Sequence, residues 1–312
     1  MEDIVVIGGS NIDLKAYSEN YLPNTSNPGH VEESLGGVGR NIAENLGILG
    51  NNVTLLTAVG DDHFGKKLLK ETAKSQVDID NVKVTEKEKT GLYLAHLDNK
   101  GELIAAISGM EVMKCIDQSY IQKNEDIIKN SSLVVFDTNL SSKIIKYILQ
   151  ITKNNRITTF AEPVSVDKSE KLLDQLKNID YLSPNLAEAE KLLGLEVKEM
   201  ENFSLRLKTV KEKYNNCEKL PVMFVSCGEK GVLILSKEKN ELIKSEKIAK
   251  ENLEETTGAG DALLAGIASK LVNEENNIIK AVEFGIKIAS LTVKSKFTVN
   301  PELKEILNRE EY

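Results

Sequence analysis

Short continuous apolar runs alternate with amphipathic stretches along most of this chain. Ile4 to Ile7 is an unbroken apolar run closed by Gly8-Gly9, the pattern of a strand buried on both faces. "NIAENLGIL", Asn41 to Leu49, carries Ile42, Leu46 and Leu49 at helical spacing, with Gly50 placed as its cap. "NVTLLTAVG" predicts a second strand and "FGKKLLKETAKS" a second helix. The same order repeats further on. Strands are expected over 133–136, 157–160 and 181–183, with helices over 143–152, 168–176 and 187–193. "VMFVSCG" and "VLILS" then read as strands. Such alternation predicts parallel βαβ units with helices on both faces of a mostly parallel sheet.

Two segments break the rhythm. Ile12 to Ser34 contains the polar, turn-rich "SENYLPNTSNPGH", and Gly91 to Ser108 holds two strand-like runs around "DNKG". They are expected to form a small antiparallel β lid, inserted at about 13–34 and 91–108 into a single domain spanning 1–312.

Composition narrows the function classes. Cys115, Cys217 and Cys227 form no CxxC pair, which points to a reduced, cytoplasmic protein without a disulfide framework or zinc site. The only histidines are His30, His63 and His96, and no HExxH occurs, so a histidine metal centre is not expected. A net charge of −8 with both signs mixed, no Trp and few aromatics argue against a nucleic-acid partner. The acidic start "MEDIVVIGG" is unlike a signal peptide, and no apolar run approaches the roughly 18 residues of a membrane span.

Several motifs fail on inspection. "GDDHFGKK" lacks the final hydroxyl of a P-loop, "GGSNID" and "GGVGRNI" do not complete a dinucleotide fingerprint, and no GxSxG is present.

What remains is "TTGAGDALLAG", Thr256 to Gly266, a small-residue turn leading into a helix. The unpaired N–H groups and the dipole of a helix start favour an anion, and Gly258, Ala259 and Gly260 let it approach the backbone. Asp261 beside that anion fits two readings. One is an ordinary helix cap. The other is a base taking the proton of a hydroxyl that attacks a phosphate. A cap needs no Gly-Ala-Gly before it. "GGVGRN", Gly36 to Asn41, is a second glycine turn feeding a helix, and suits close approach of a polyhydroxylated ligand; the plain alternative is a tight turn. Asn11 and Asp13 fall where open α/β sheets bind ligands, with Asp13 able to accept from two sugar hydroxyls or to be a solvent-facing turn acid.

"GGVGRN" and "TTGAGD", with "GDDHFG" and "SPNLAE" (Ser183 to Glu188) in order between them, resemble the ribokinase-like, or PfkB, carbohydrate and nucleoside kinases over nearly the whole chain. The resemblance implies a ribokinase-like three-layer sandwich with the small lid. Within the family the chain is most similar to the pseudouridine kinases, through "SNPG" (Ser26 to Gly29), "GGVGRNIAENL" and "EPVS" (Glu162 to Ser165) followed by Lys168.

By resemblance, Asp261 is the base for a sugar 5′-hydroxyl, and Gly258, Ala259 and Gly260 form the anion hole. Asn11, Asp13, Gly37, Gly39 and Asn41 hold the ribose. Asn185 and Glu188 organise magnesium near ATP, with Glu188 as its ligand, and Ser226, Gly228 and Gly231 match the nucleotide loop. Ser26, Asn27, Lys168 and His96 are candidates to read the base. His96 also reads as a plain strand residue facing solvent or a dimer partner, and Lys168 as a surface residue. The family's second motif usually begins with Asp where this chain has Glu255, which puts its potassium site in question. Partners are then ATP and a small nucleoside or sugar, with no membrane partner, and a homodimer formed through the lid. Rivals are a ribokinase, a fructokinase or another nucleoside kinase, and a non-catalytic sugar or nucleoside sensor. A dinucleotide-dependent oxidoreductase is disfavoured by the missing fingerprint.

Overall fold

The strand Asp3–Ile7 forms where its apolar run predicts, and its alternate side chains enter two different cores. Val5 and Ile7 join one cluster with Phe136, Ile145 and Leu182. Ile4 and Val6 join another with Ile42, Phe160, Phe224 and Leu264. This is why the run is continuous: both faces of the sheet are covered by helices. The computed structural model describes residues 3–196, 202–273 and 277–310.

The main sheet is ordered Asn240–Ile243, Val232–Leu235, Val222–Ser226, Tyr181–Leu182, Thr158–Glu162, Leu133–Asp137, Asp3–Ile7, Asn52–Leu56, Val77–Asp78. It is parallel from Val222–Ser226 onward. The two strands at the other edge run antiparallel. The βαβ alternation therefore ends at Val222, and "VLILS" returns as a hairpin because the short turn at Gly228–Gly231 leaves no room for a crossover helix. Among the described residues, no helix is long and apolar enough to cross a membrane.

Three local expectations need correction. "NVTLLTAVG" is not one strand: it breaks at Thr57, and Ala58–Gly60 pairs with Lys83–Thr85 in a separate two-stranded sheet. The helix expected over 168–176 is one α turn, Val166–Ser169, followed by a 3₁₀ stretch, Glu170–Asn178. The lid expected over 13–34 and 91–108 is not antiparallel throughout, although its first hairpin, Asn11–Ser18 against Gly29–Gly36, is, with the polar turn residues occupying only the connection. A second hairpin pairs Gly91–Leu97 with Leu103–Gly109. The two hairpins join through a parallel pairing of Asn11–Ser18 with Gly91–Leu97, so the lid is antiparallel within each hairpin and parallel at its centre. Ile12, with Leu14, Leu35 and Leu92 packed around it, sits on Val59 and Leu68 and fixes the lid's inner end to the body.

Candidate active site

The first strand runs into Gly8-Gly9, and the neighbouring strand ends in Asp137. Asp137 is buried and accepts through Oδ2 from the N–H groups of Gly9 at 2.8 Å and Gly39 at 2.9 Å. Its Oδ1 accepts from the N–H of Asn139 at 2.8 Å. One carboxylate thus ties together the two turns that floor the cleft. A Cβ on Gly39 would lie 2.6 Å from Gly8 Cα, so only glycine permits the crossing. Burial pushes the Asp137 carboxyl up, while these backbone donors and Lys168 pull partly against it. Sequence reasoning missed Asp137, although a carboxylate closing a buried strand is the same signal that picked out Asp13.

Asn11 and Asp13 lie on the first lid strand, where Asn11 Nδ2 donates to Asp13 Oδ1 at 2.6 Å. Burial raises the Asp13 carboxyl, opposed by Asn11, Lys15 and Arg40. Gly37, at φ 97°, precedes the helix Val38–Ile48, whose first turn carries Asn41. Arg40 was not anticipated. It is buried, ion-paired with Glu44, and donates to Thr72 Oγ1 and Asn41 Oδ1, each at 3.2 Å. Burial lowers its pKa to about 10, against the pull of Asp13, Glu71 and Asp261. A guanidinium only donates, so the Asn41 oxygen must face Arg40 and its Nδ2 is turned the other way.

That Nδ2 meets Asp261 Oδ2 at 2.8 Å. Asp261 stands inside the first turn of the helix Ala259–Asn273 rather than at its cap position. It is 8 % exposed. Burial pushes its carboxyl up to about 7, against the Asn41 bond, with Asp137 and Asp13 adding to the rise. A carboxylate titrating near neutrality, at the positive end of a helix, suits a proton acceptor. Gly258, at φ 87°, turns the chain into the helix, and a Cβ there would strike Thr298 O at 2.1 Å. A Cβ on Gly260 would meet nothing within 4 Å. Open space therefore faces the helix start where an anion would bind.

On the other side, Asn185 and Glu188 form a capping box for the helix Leu186–Leu192. Asn185 Oδ1 accepts from the Glu188 N–H and Glu188 Oε2 from the Asn185 N–H, both at 2.9 Å. The structural role accounts for one oxygen of Glu188. It does not account for its burial beside Glu162 at the end of the strand Thr158–Glu162. Burial, then Glu188 and Asp261, push the Glu162 carboxyl well above the usual range. A divalent cation would relieve this repulsion, and hard oxygen donors suit magnesium. Among the described residues no three His, Cys, Asp or Glu side chains converge as a complete metal cluster. Glu188 and Glu162 supply the few hard oxygens that a magnesium ion keeping most of its waters takes from protein. Glu162 was missed as a site residue, although it lies in "EPVS". Its Oε1 accepts from the N–H of Val164 at 3.2 Å. Val164 holds φ 66°, a strained conformation for a β-branched residue.

The Ser226 loop lies beside this helix start: Ser226 N–H donates to Pro184 O at 2.8 Å, and Asn185 bridges Ser226. Gly228 and Gly231, at φ 57° and 105°, close its turn.

The remaining expected residues lie in the lid and beside the glycine floor. Ser26 is exposed in the lid turn. Asn27 uses its amide on Leu22 N–H at 2.7 Å, Leu22 O at 2.9 Å and Thr25 O at 3.1 Å, which shapes its own loop. His96 meets Ser18 Oγ at 2.9 Å and the edge of Tyr21 at 5.0 Å. Lys168 is not a plain surface residue: Nζ donates to Asn139 Oδ1 at 2.6 Å. Glu255 is ion-paired with Lys15, and its Oε1 accepts from the Thr257 N–H at 2.9 Å. Partial burial acts upward on Glu255, but Lys15 and Thr257 outweigh it and hold the carboxyl below its usual range. A carboxylate neutralised by an internal ammonium does not fit an open potassium site.

The profile of the pfkB family carbohydrate kinases matches residues 1–305. Pseudouridine kinase of Escherichia coli is 36 % identical over 301 residues, covering 96 % of this chain and 93 % of its own. Guanosine-inosine kinase of Exiguobacterium acetylicum is 25 % identical, covering 99 % of each chain. The structure of Arabidopsis thaliana ribokinase, complexed with ribose and ATP, superposes with a TM-score of 0.83 at 23 % identity, over 100 % of this chain and 99 % of that one. With its ribokinase-like sheet and lid, this chain belongs to the pfkB family of carbohydrate kinases, phosphotransferases that act on an alcohol acceptor.

Proposed function

We propose that the protein transfers the γ-phosphoryl group of ATP to the 5′-hydroxyl of pseudouridine, giving pseudouridine 5′-phosphate and ADP. The observation that carries the reaction is buried Asp261, oriented by Asn41 in the first helical turn beside the open Gly260. What favours pseudouridine is the 36 % identity to a pseudouridine kinase across almost the whole chain. Asn11 and Asp13 hold the ribose hydroxyls over the Gly37–Gly39 turn, and Asp261 accepts the proton of the attacking hydroxyl. The N–H groups from Gly258 to Gly260 receive the phosphoryl oxygens. Ser226, Gly228 and Gly231 border the nucleotide. Glu188, with Asn185 fixing its position and Glu162 beside it, is the protein side of the magnesium site. Magnesium held there with ATP would offset the negative charge of the phosphates.

We further read the enzyme as a cytoplasmic homodimer joined through its lids. Supporting this, Val31, Leu94 and Ile107 are 64 %, 38 % and 67 % exposed on the lid face opposite Asp13. Light scattering on the Ile107→Lys variant tests it: a monomer is expected, and an unchanged dimer would remove the lid from the interface.

The test of substrate is ATP consumption with magnesium against pseudouridine, uridine, ribose, fructose and adenosine, with product mass read alongside. One added phosphate on pseudouridine is expected. Turnover of a free sugar alone would keep Asp261 as base and make the protein a sugar kinase. Stabilisation by a nucleoside without turnover would favour a sensor, the reading that an intact base and anion turn oppose.

A further inference from the structure

Lys168, Asn139 and Asp137 form a connected polar chain ending on the glycine floor. Lys168 Nζ donates to Asn139 Oδ1 at 2.6 Å. An ammonium has no acceptor, so this bond fixes which end of the Asn139 amide is oxygen. The Asn139 backbone then donates to Asp137, which holds the N–H groups of Gly9 and Gly39. The chain lies on the acceptor side of the cleft. Asn139 follows the strand paired with Asp3–Ile7, two strands away from the Ser226 loop's own neighbour. A Cβ on Gly9 would come within 2.6 Å of Asn139 Nδ2 and 3.1 Å of Met110 Cε, and one on Gly91 within 2.7 Å of Met110 Sδ and 3.1 Å of Asn11 Cβ. Met110 therefore stands between Asn139 and the sugar-binding Asn11.

We infer that Asn139 is the positioning residue for base recognition: it anchors the Lys168 ammonium beside the apolar Met110, where Lys168 donates to a ring carbonyl of the nucleoside. This rests on the nucleoside kinase reading above. Lys168 brings three donors and Asn139 occupies one. A donor-only group selects bases with a carbonyl at that edge over bases presenting an amino group there. A planar ring resting on Met110 suits the sulfur–aromatic contact that a free sugar cannot make.

The test compares Asn139→Ala, Lys168→Met and the double variant with the wild type, measuring KM and kcat for pseudouridine and KM for ATP. Either single change is expected to raise KM for pseudouridine about tenfold, the loss of one charged hydrogen bond, with the larger part of the loss in KM rather than kcat. The double variant should be no worse than Lys168→Met alone, because both act through one ammonium. A KM for pseudouridine unmoved by Lys168→Met overturns the inference, as does an equal rise in KM for ATP, which would place Lys168 on the phosphates. Additive losses would overturn the positioning role. Asn139→Ala keeps the backbone bond to Asp137. Should it fail to fold, Lys168→Met, a half-buried side chain, decides alone. A wild type that phosphorylates only free sugars removes the nucleoside reading and this inference together. A wild type that takes pseudouridine with unaffected variants removes this inference only.

Discussion

Asn41 and Asp261, 220 positions apart in the chain, meet at 2.8 Å and join the first turns of two helices across the cleft. The bond favours the ionised carboxylate and so acts against the burial that raises Asp261 to about 7. A general base must be unprotonated, so kcat/KM for the acceptor should fall about tenfold per pH unit below that value. Asn41→Ala removes the lowering contact. Its acidic limb is expected to move to higher pH, with about tenfold lower activity at pH 7. A pH–rate profile of both proteins checks this; an acidic limb that stays in place in the variant would detach Asn41 from the base.

Asp261→Asn separates catalysis from stability. Turnover should drop by at least about 10²-fold, as for loss of a general base. Stability should move the other way. The folded carboxyl titrates near 7 against 3.8 for an ordinary aspartate, so the folded state holds the extra proton between those values. Its favourable contribution is complete below 3.8 and is lost as pH rises through 7. At pH 8 the wild type carries a buried charge that asparagine lacks. Thermal unfolding should therefore show the variant more stable at pH 8, with a smaller gap at pH 5. Near-normal turnover would sink the assignment of the base.

Two glycines two residues apart should fail for different reasons. Gly258→Ala forces a side chain into a left-handed conformation and onto Thr298 O, 2.1 Å away. Both the unfolding midpoint and turnover should fall, the strain alone costing on the order of 1 kcal/mol. Gly260→Ala meets open space. Its unfolding free energy should stay within about 0.5 kcal/mol of wild type while turnover falls at least about tenfold, because the methyl occupies the approach of the phosphoryl group. Unfolding curves and steady-state rates measured together distinguish the two. Wild-type turnover in Gly260→Ala would place the anion elsewhere.

The sequence disclosed the elements whose signal is local. Ile4–Ile7 reads as a two-faced buried strand because every position is apolar, and Asp261 draws notice because glycines precede it. The sites it concealed depend on contacts distant in the chain. Asp137 ends the apolar run "LVVFD" and gains meaning only when Gly9 and Gly39, 128 and 98 positions away, place N–H groups on it. Arg40 carried no local signal and gains its role only where the fold closes over it beside Thr72. The break at Thr57 was equally hidden, since an apolar run does not reveal that its two halves pair in different sheets. Asn27 shows how little a polar residue in a lid turn says by itself, since its side chain is as apt to hydrogen-bond its own backbone, as it does here, as a ligand.

Lys15 and Glu255 join the lid strand to the loop before the anion turn, 240 positions apart. The pair is partly buried, with side chains 19 % and 20 % exposed, so the ammonium neutralises Glu255 where a bound monovalent cation would otherwise be drawn. Replacing potassium by tetramethylammonium at constant ionic strength is therefore expected to leave turnover within about twofold, the change falling below the ~1 kcal/mol scale of a lost charge contact. Lys15→Met leaves Glu255 without its cation. In that variant potassium should raise turnover, and tetramethylammonium, too large and without donors, should not. Strong potassium activation of the wild type would show that the pair does not substitute for an ion, and that Glu255 is released from Lys15 during the reaction cycle.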